Sequence, residues 1–361
     1  METNRREFLG QLGVGALSML GSIEAVALPK NSKKLGIAMV GLGYYSEFQL
    51  APALQQTKLC QLTGIVTGTP AKVDKWVSKF NIDRKNAYNY ENFDKIKDNE
   101  NIDIVYVVLP NSMHHEFTIR ALKAGKHVIC EKPMANTVKE CEEMIATAKQ
   151  MDKQLSIGYR LHFDPYNLEI MRLTKEKTYG NLTHIEANFG FAIGDPMQWR
   201  LNKKLAGGGP LMDVGIYAIQ GTRYGSGLEP LAVTAQQFKT GNPKFKEVEE
   251  TLLFQLEYPN GLVANCSTSY AFNIEKLKIY AEKGFYELSP AYGYGGLKGK
   301  TKDKEIAYPP FNQQAAQMDA FADCLIQKKP TTVGGEIGLQ DMKIIEAIYK
   351  AMETGQKVEI K

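Results

Sequence analysis

The chain has 361 residues, of which 43% are hydrophobic and 23% charged, and it carries a formal charge of +4. This is the composition of a globular protein long enough for two domains, and a small charge with no long basic runs excludes nucleic-acid binding as its business. Cys60, Cys130, Cys141, Cys266 and Cys324 are odd in number and scattered without paired spacing, which excludes a disulfide framework and a zinc site.

The first segment reads as a targeting signal rather than as part of the fold. Asn4-Arg5-Arg6-Glu7-Phe8-Leu9 is a twin-arginine start, followed by a modestly apolar stretch and the small-residue site Ala25-Val26-Ala27. Gly10, Gln11, Gly13, Gly15, Gly21 and Glu24 interrupt the stretch, so it makes a poor membrane span. The expectation is a signal peptide over 1–27, a mature chain without a membrane span, and a periplasmic location. Export by this route carries proteins already folded, which suits a chain that loads a cofactor first.

From Lys34 to about Gly158 apolar strands alternate with helical segments, which predicts a doubly wound parallel sheet, a Rossmann domain over 34–158. The predicted strands are Leu35–Val40, Leu59–Val66, Ile104–Leu109, Val128–Cys130 and Leu155–Ile157. The predicted helices are Ser46–Gln56, Ala71–Phe80, Met113–Ala124 and Val138–Met151. Gly41-Leu42-Gly43-Tyr44-Tyr45-Ser46 follows the first strand and opens a helix. A glycine turn in that context lets backbone amides approach a pyrophosphate at a helix N-terminus. Serine stands where the motif has its third glycine. The second strand runs into Thr67-Gly68-Thr69-Pro70-Ala71-Lys72, with no acid before Asp74. A carboxylate there would hold an NAD ribose; hydroxyls and the Lys72 cation favour a 2′-phosphate, so NADP is expected. Leu109-Pro110-Asn111-Ser112-Met113-His114-His115 leaves the fourth strand at the carboxyl edge, placing Asn111 and His114 beside the nicotinamide ribose. Two neighbouring histidines without a third ligand predict no metal.

The strand Val128–Cys130 delivers Glu131, Lys132 and Pro133 to the same edge. Beyond Tyr159 the character changes to a helix near Tyr166–Glu176 and then to period-two strands, as in Ile185, Ala187, Phe189 and Phe191. The same alternation recurs in Leu252–Tyr258 and Leu262–Phe272, and helices near Gln313–Gln327 and Gly335–Thr354 close the chain. An α+β domain with an open, mostly antiparallel sheet is expected over 159–361. Within it, Gly207-Gly208-Gly209-Pro210-Leu211-Met212-Asp213-Val214-Gly215-Ile216-Tyr217 is the most informative run. The glycines allow a sharp turn and close approach to a ligand, Pro210 suits a first helical turn, and Asp213 and Tyr217 share a helix face. A free phenol, with pKa about 10, is a poor base near neutrality. A cation about 4 Å away contributes roughly 4 kcal/mol at an effective dielectric near 20, enough to lower that pKa substantially. Lys132 beside Tyr217 is thus a sufficient acid–base arrangement.

Taken with Gly41–Ser46, Glu131-Lys132-Pro133 and Asp213–Tyr217, the segments Leu109–Ser112, Gly158–Arg160, His162–Pro165, Gln198–Arg200 and Gly221–Tyr224 give the chain a resemblance. From about Leu35 to Ile360 it resembles the glucose–fructose oxidoreductase/inositol dehydrogenase (Gfo/Idh/MocA) superfamily, and most of all its glucose–fructose oxidoreductase branch, where tyrosine replaces the commoner histidine at position 217. The resemblance implies an NADP-dependent sugar oxidoreductase with a tightly held nucleotide. It would oxidise an aldose at C1 to a lactone, then reduce a ketose or second sugar with the same cofactor. It implies Lys132, Asp213 and Tyr217 as catalytic residues, with Lys132 stabilising an alkoxide and Asp213 orienting the sugar or the tyrosine. Cofactor contacts would come from Gly41, Leu42, Gly43, Tyr44, Tyr45, Thr67, Lys72, Leu109, Asn111, His114, Glu131 and Lys132, with Trp199 and Arg200 over the dinucleotide. Sugar hydroxyls would meet Arg160, His162, Asp164 and Tyr217, with Tyr166 and Arg223 as further polar groups. A homo-oligomer, dimer or tetramer, is implied through the open sheet. The family's long N-terminal arm is nearly missing, since only Leu28–Lys34 separates the expected cleavage site from the first strand. The same residues also suit an NADP-dependent sugar dehydrogenase that exchanges its cofactor. Less readily they suit an NAD-dependent glycosidase of the superfamily or a non-enzymatic nucleotide sensor.

Overall fold

The computed structural model describes residues 33–361, so the twin-arginine segment lies outside the described residues. These residues form two compact units, one of 33–160 with 312–339 and the other of 161–311 with 340–361.

In the first unit the apolar runs become six parallel strands: β1 (Leu35–Val40), β2 (Cys60–Val66), β3 (Ala87–Tyr88), β4 (Ile104–Val107), β5 (His127–Cys130) and β6 (Leu155–Ile157). Their order is β3-β2-β1-β4-β5-β6, with the strand order reversing at β1. That reversal opens the crevice where such sheets bind dinucleotides. Strand β3 was not expected: two residues carry no readable periodicity, and only pairing with Ile65 and Val66 makes them a strand. Ala71–Phe80, His114–Lys123 and Val138–Gln150 are helical, and the last opens with a capping box between Thr137 and Glu140. The helix Gln313–Ile326 also belongs here, although everything after 158 reads in the sequence as one second domain. Its Ala315, Met318, Phe321 and Ala322 join Leu54, Cys60 and Ile65 in one apolar cluster. Asp319 accepts the amides of Lys58 and Leu59, each at 2.8 Å. Burying that face outweighs the cost of a long excursion of the chain, because loop-closure entropy grows only slowly with length.

The second unit is built on nine strands: β7 (Leu182–Gly190), β8 (Ala232–Phe238), β9 (Thr251–Glu257), β10 (Val263–Ser269), β11 (Ile274–Ala281), β12 (Gly284–Leu288), β13 (Gly299–Thr301), β14 (Glu305–Ile306) and β15 (Val358–Glu359). They lie in the order β14-β13-β12-β11-β7-β10-β9-β8-β15, antiparallel except between β7 and β10. The helix Ile216–Ser226 is buried along its whole length. Gly221 and Gly225 let it lie close on Leu277 and Ile279 of β11. No helix among the described residues is long and apolar enough to cross a membrane.

Candidate nucleotide and acid–base sites

The nucleotide loop is shaped by β1 and what lies beside it. Gly41 has φ of +91°, and a Cβ there would run into the Val108 carbonyl oxygen, so only glycine fits. A Cβ on Gly43 would instead project into open space, which leaves its backbone accessible to a ligand. Ser46, in the third-glycine position, is buried and donates its hydroxyl to the Gly41 carbonyl at 2.6 Å, closing the turn from within. Leu42 is buried and Tyr45 half-buried, while Tyr44 is exposed and stacks on Phe48 with ring centroids 4.8 Å apart. Lys72 donates to the Leu42 carbonyl at 2.7 Å, so its ammonium is held over the loop. Buried Thr67 follows β2 and accepts the Thr69 amide at 3.1 Å. Thr67, Pro70, Val73, Arg84 and Tyr88 line a cavity of about 200 Å³. Asp74, the first acid after the strand, forms an ion pair with Arg84. An open glycine turn with a hydroxyl and a cation beside it fits a nicotinamide dinucleotide.

At the β4 and β5 ends, Leu109 and Asn111 are buried and His114 lies fully inside. His114 Nδ1 is 2.8 Å from the Pro133 carbonyl and Nε2 is 2.9 Å from the Leu109 carbonyl. It therefore ties the loop after β4 to the turn carrying Lys132. Burial, with the Lys132 charge adding to it, lowers its pKa to about 4, and a neutral ring donates to only one of the two oxygens. Glu131 is also buried. It accepts from the Tyr106 hydroxyl at 2.7 Å and from the Lys132 amide at 3.2 Å, and burial pushes its pKa up. Gln317 of the returning helix donates to Tyr106 at 2.7 Å. Gly158 faces this carboxylate, its ideal Cβ falling 2.7 Å from Glu131 Oε1. Glu131 is thus engaged with the protein, fixing the backbone that presents Lys132. Arg160 is buried and hydrogen-bonded to Gln313.

In the second unit the triple glycine does approach something closely, but it is the chain itself. A Cβ on Gly208 would strike the Tyr349 hydroxyl, and one on Gly209 would lie 2.7 Å from the Glu249 carbonyl oxygen. The turn passes into Leu211–Gly215, a π-helical turn that continues as Ile216–Ser226. Asp213 Oδ2 accepts from Arg200 Nε at 2.9 Å and from the Tyr270 hydroxyl at 3.0 Å. Arg200 also stacks over Trp199, 4.7 Å from the ring centroid, so Trp199 and Arg200 lead to Asp213. Tyr217 is 8% exposed. Its ring packs against the stacked pair of Phe189 and Tyr292, with centroids 5.6 and 6.2 Å away and 5.0 Å between the two. This aromatic pair supports the phenol while its helix presents Asp213 one turn earlier.

The expected sugar-facing residues divide. His162 is buried, packs edge-on against Phe163 and Tyr224, and its Nδ1 finds no hydrogen-bond partner among the described residues. Burial lowers its pKa to about 4. Asp164 caps the helix Pro165–Lys175 through the Tyr166 amide at 2.9 Å. Tyr166 packs on Tyr308. Arg223 is structural: it pairs with Asp341 at 2.6 Å and with Glu229 at 2.7 Å inside the fold. Tyr270 and Glu249 escape sequence reading because each acts from a strand end far along the chain. The alternation in Leu262–Phe272 does mark Tyr270 as inward-facing. No group of three or more His, Cys, Asp or Glu among the described residues is placed to hold a metal ion.

Comparison with known proteins agrees with this architecture. Residues 35–159 match the model of an oxidoreductase family with an NAD-binding Rossmann fold, and 168–287 match the GFO/IDH/MocA C-terminal domain. The structure of an aldose–aldose oxidoreductase from Caulobacter crescentus, complexed with glycerol, is 43% identical, with a TM-score of 0.88 over 91% of this chain and 100% of that one. D-xylose 1-dehydrogenase (NADP(+)) of Haloarcula marismortui is 29% identical over 90% of this chain and 92% of its own. D-glucoside 3-dehydrogenase of Escherichia coli is 32% identical over 72% of this chain and 79% of its own. The chain therefore belongs to the Gfo/Idh/MocA family and is an NAD(P)-dependent oxidoreductase, in a family whose members include these sugar-acting enzymes.

Proposed function

We propose that the protein is an NADP-dependent sugar oxidoreductase that oxidises an aldose at C1 to a lactone and reduces a second sugar, ketose or aldose, with the same nucleotide. The observation that carries this reading is the Asp213–Tyr217 pair on a buried helix, with Asp213 oriented by Arg200 and Tyr270. The likeness to an aldose–aldose oxidoreductase at 43% identity supports the two-sugar cycle. NADP is favoured by Thr67 and Lys72 at the loop and by the pairing of Asp74 with Arg84, which leaves no free carboxylate in that ion pair. A nicotinamide dinucleotide held at Gly41–Gly43, Thr67 and Lys72 would supply the hydride acceptor for C1 oxidation and the hydride donor for reduction of the second sugar.

Tyr217 takes the proton of the C1 hydroxyl in the first half-reaction and gives one to the carbonyl oxygen in the second, as microscopic reversibility requires. Lys132, presented by the buried Glu131, stabilises the developing alkoxide. Asp213 holds the sugar or the phenol in line, and its anchorage fixes the helix register. Arg160, His162 and Asp164 are the groups proposed to meet sugar hydroxyls. We further propose that 1–27 directs twin-arginine export to the periplasm, where little free nucleotide is available and self-recycling is an advantage. A homo-oligomer would form on the second sheet, whose Leu253 and Phe238 are exposed.

Denaturing protein purified from the cytoplasm and identifying released nucleotide by mass spectrometry tests the cycle. Stoichiometric NADP is expected. An empty protein that turns over with added NADP is instead a dehydrogenase exchanging its cofactor, and bound NAD overturns the role of Thr67 and Lys72. Tyr217→Phe is expected to keep the nucleotide and lose most turnover, typically 10²–10⁴-fold for a removed acid–base. Near-normal turnover would remove Tyr217 from that role.

A further inference from the structure

The helix carrying Asp213 and Tyr217 is held at its start by a carboxylate outside the glycine motif. Glu249, two residues before β9, is 5% exposed. Its Oε2 accepts the Gly209 amide at 3.0 Å, and its Oε1 accepts the Leu211 amide at 3.1 Å and the Tyr349 hydroxyl at 3.0 Å. Pro210, between those two amides, has no N–H, so both donors flanking the proline end on one carboxyl group. First-turn amides have no partner within their own helix, and a negative charge is favoured there. The glycines make the arrangement possible, since a side chain at 208 or 209 would displace Tyr349 or Glu249.

The link to the acid–base pair is short. Gly209, whose N–H is fixed by Glu249, accepts the Asp213 amide on its own carbonyl at 3.3 Å. The Tyr270 amide donates to the Glu250 carbonyl at 2.9 Å, while the Tyr270 hydroxyl holds Asp213. Adjoining ends of β9 and β10 therefore grip the helix twice, at its first amides and at its carboxylate.

We propose that Glu249, backed by Tyr349, is a positioning residue for the reaction: it sets the axial position and rotation at which the helix presents Asp213 and Tyr217. This role rests on reading Tyr217 as the acid–base. Loss of the grip leaves both side chains present but displaced, and misplacement by about 1 Å can cost on the order of 100-fold in rate.

The test uses full-length protein with NADP and whichever of D-xylose, D-glucose and D-galactose the wild type oxidises fastest, with that aldose or D-fructose as the second sugar, and follows the acid released as the lactone hydrolyses, well below the melting temperature. Glu249→Gln is expected to lower kcat by about 10-fold or more, with the sugar KM within about threefold of wild type and nucleotide content unchanged. A lower Tm with wild-type kcat would mean that the carboxylate is structural only, and overturns the proposal. Tyr349→Phe removes one hydrogen bond and is expected to act in the same direction, by a few-fold. If Glu249→Gln does not accumulate as folded protein, Tyr349→Phe decides: a lowered kcat at constant KM supports the role, and wild-type kcat overturns it. Tyr217→Phe, run in parallel, separates the two ideas. Turnover retained there, or absent from the wild type on all three sugars, overturns the acid–base reading and this proposal with it. Turnover lost there beside wild-type kcat in Glu249→Gln overturns this proposal alone.

Discussion

Replacing Asp341 by asparagine should destabilise the second unit without altering the affinity of the folded enzyme for sugar. Asp341 is completely buried, and Arg223, opposite it, is 6% exposed. The carboxylate accepts from Arg223 Nη1 at 2.6 Å and from Gln220 Nε2 at 2.9 Å. Asparagine has one acceptor oxygen for these two donors, so one of them faces an amide NH₂. Breaking a buried ion pair by removing one partner costs about 3–5 kcal/mol. Glu229 still accepts from Arg223 Nε and Nη2, at 2.9 and 2.7 Å, which keeps the guanidinium partly compensated. The cost therefore falls at or just below the lower end, about 2–3 kcal/mol, a Tm decrease of roughly 4–12 °C for a domain of this size. Calorimetry gives the Tm, and steady-state kinetics well below it give the sugar KM, expected within about twofold of wild type. The double variant Arg223→Met with Asp341→Leu should be less destabilised than Asp341→Asn, because replacing both partners of a buried pair by apolar groups is often near neutral. A Tm within a degree of wild type, or a sugar KM raised tenfold at unchanged Tm, would refute this reasoning. The second result would return Arg223 to the sugar-binding role that its sequence motif suggests.

Two further outcomes follow from the same kind of accounting. Lys72→Ala removes the ammonium held over the nucleotide loop; the ratio of NADP to NAD released on denaturing the purified protein should fall about tenfold, and an unchanged ratio would separate Lys72 from the 2′-phosphate. His162 has a pKa lowered by burial from 6.5 to about 4. Between those values the unfolded chain binds the proton and the folded chain does not, so stability falls as pH drops from 6.5 toward 4 and levels off below. At about 1.4 kcal/mol per pH unit, His162 contributes about 3 kcal/mol to that fall. His162→Phe should flatten the Tm-against-pH curve over this window by that share, and a curve parallel to wild type would contradict it.

The strand–glycine–helix pattern at Leu35–Ser46 and the alternation beyond it made the Rossmann unit and the second sheet legible in the sequence. The reason is local: period-two and period-3.6 patterns and a glycine turn are properties of neighbouring residues. Lys132, Asp213 and Tyr217, the groups proposed for the chemistry, could be singled out for the same cause, each lying in a short run with its own turn chemistry. At Gly207–Gly209 the sequence pointed to close approach, read there as approach to a ligand, whereas Gly208 and Gly209 approach the chain itself. Only the folded chain brings Tyr349 and Glu249 there from 140 and 40 positions away, as it brings Tyr270 to Asp213 from 57. The strand Ala87–Tyr88 exists because β2 offers it an edge, and Arg223 is an internal ion-pair partner because Asp341 returns to meet it. The Gln313–Ile326 helix joins the first unit because its apolar face completes a core begun 260 residues earlier. Pattern within a segment determined which elements form and marked the groups proposed to carry chemistry. Burial and hydrogen-bond satisfaction between segments distant in sequence, which no local pattern encodes, decided what holds those groups in place.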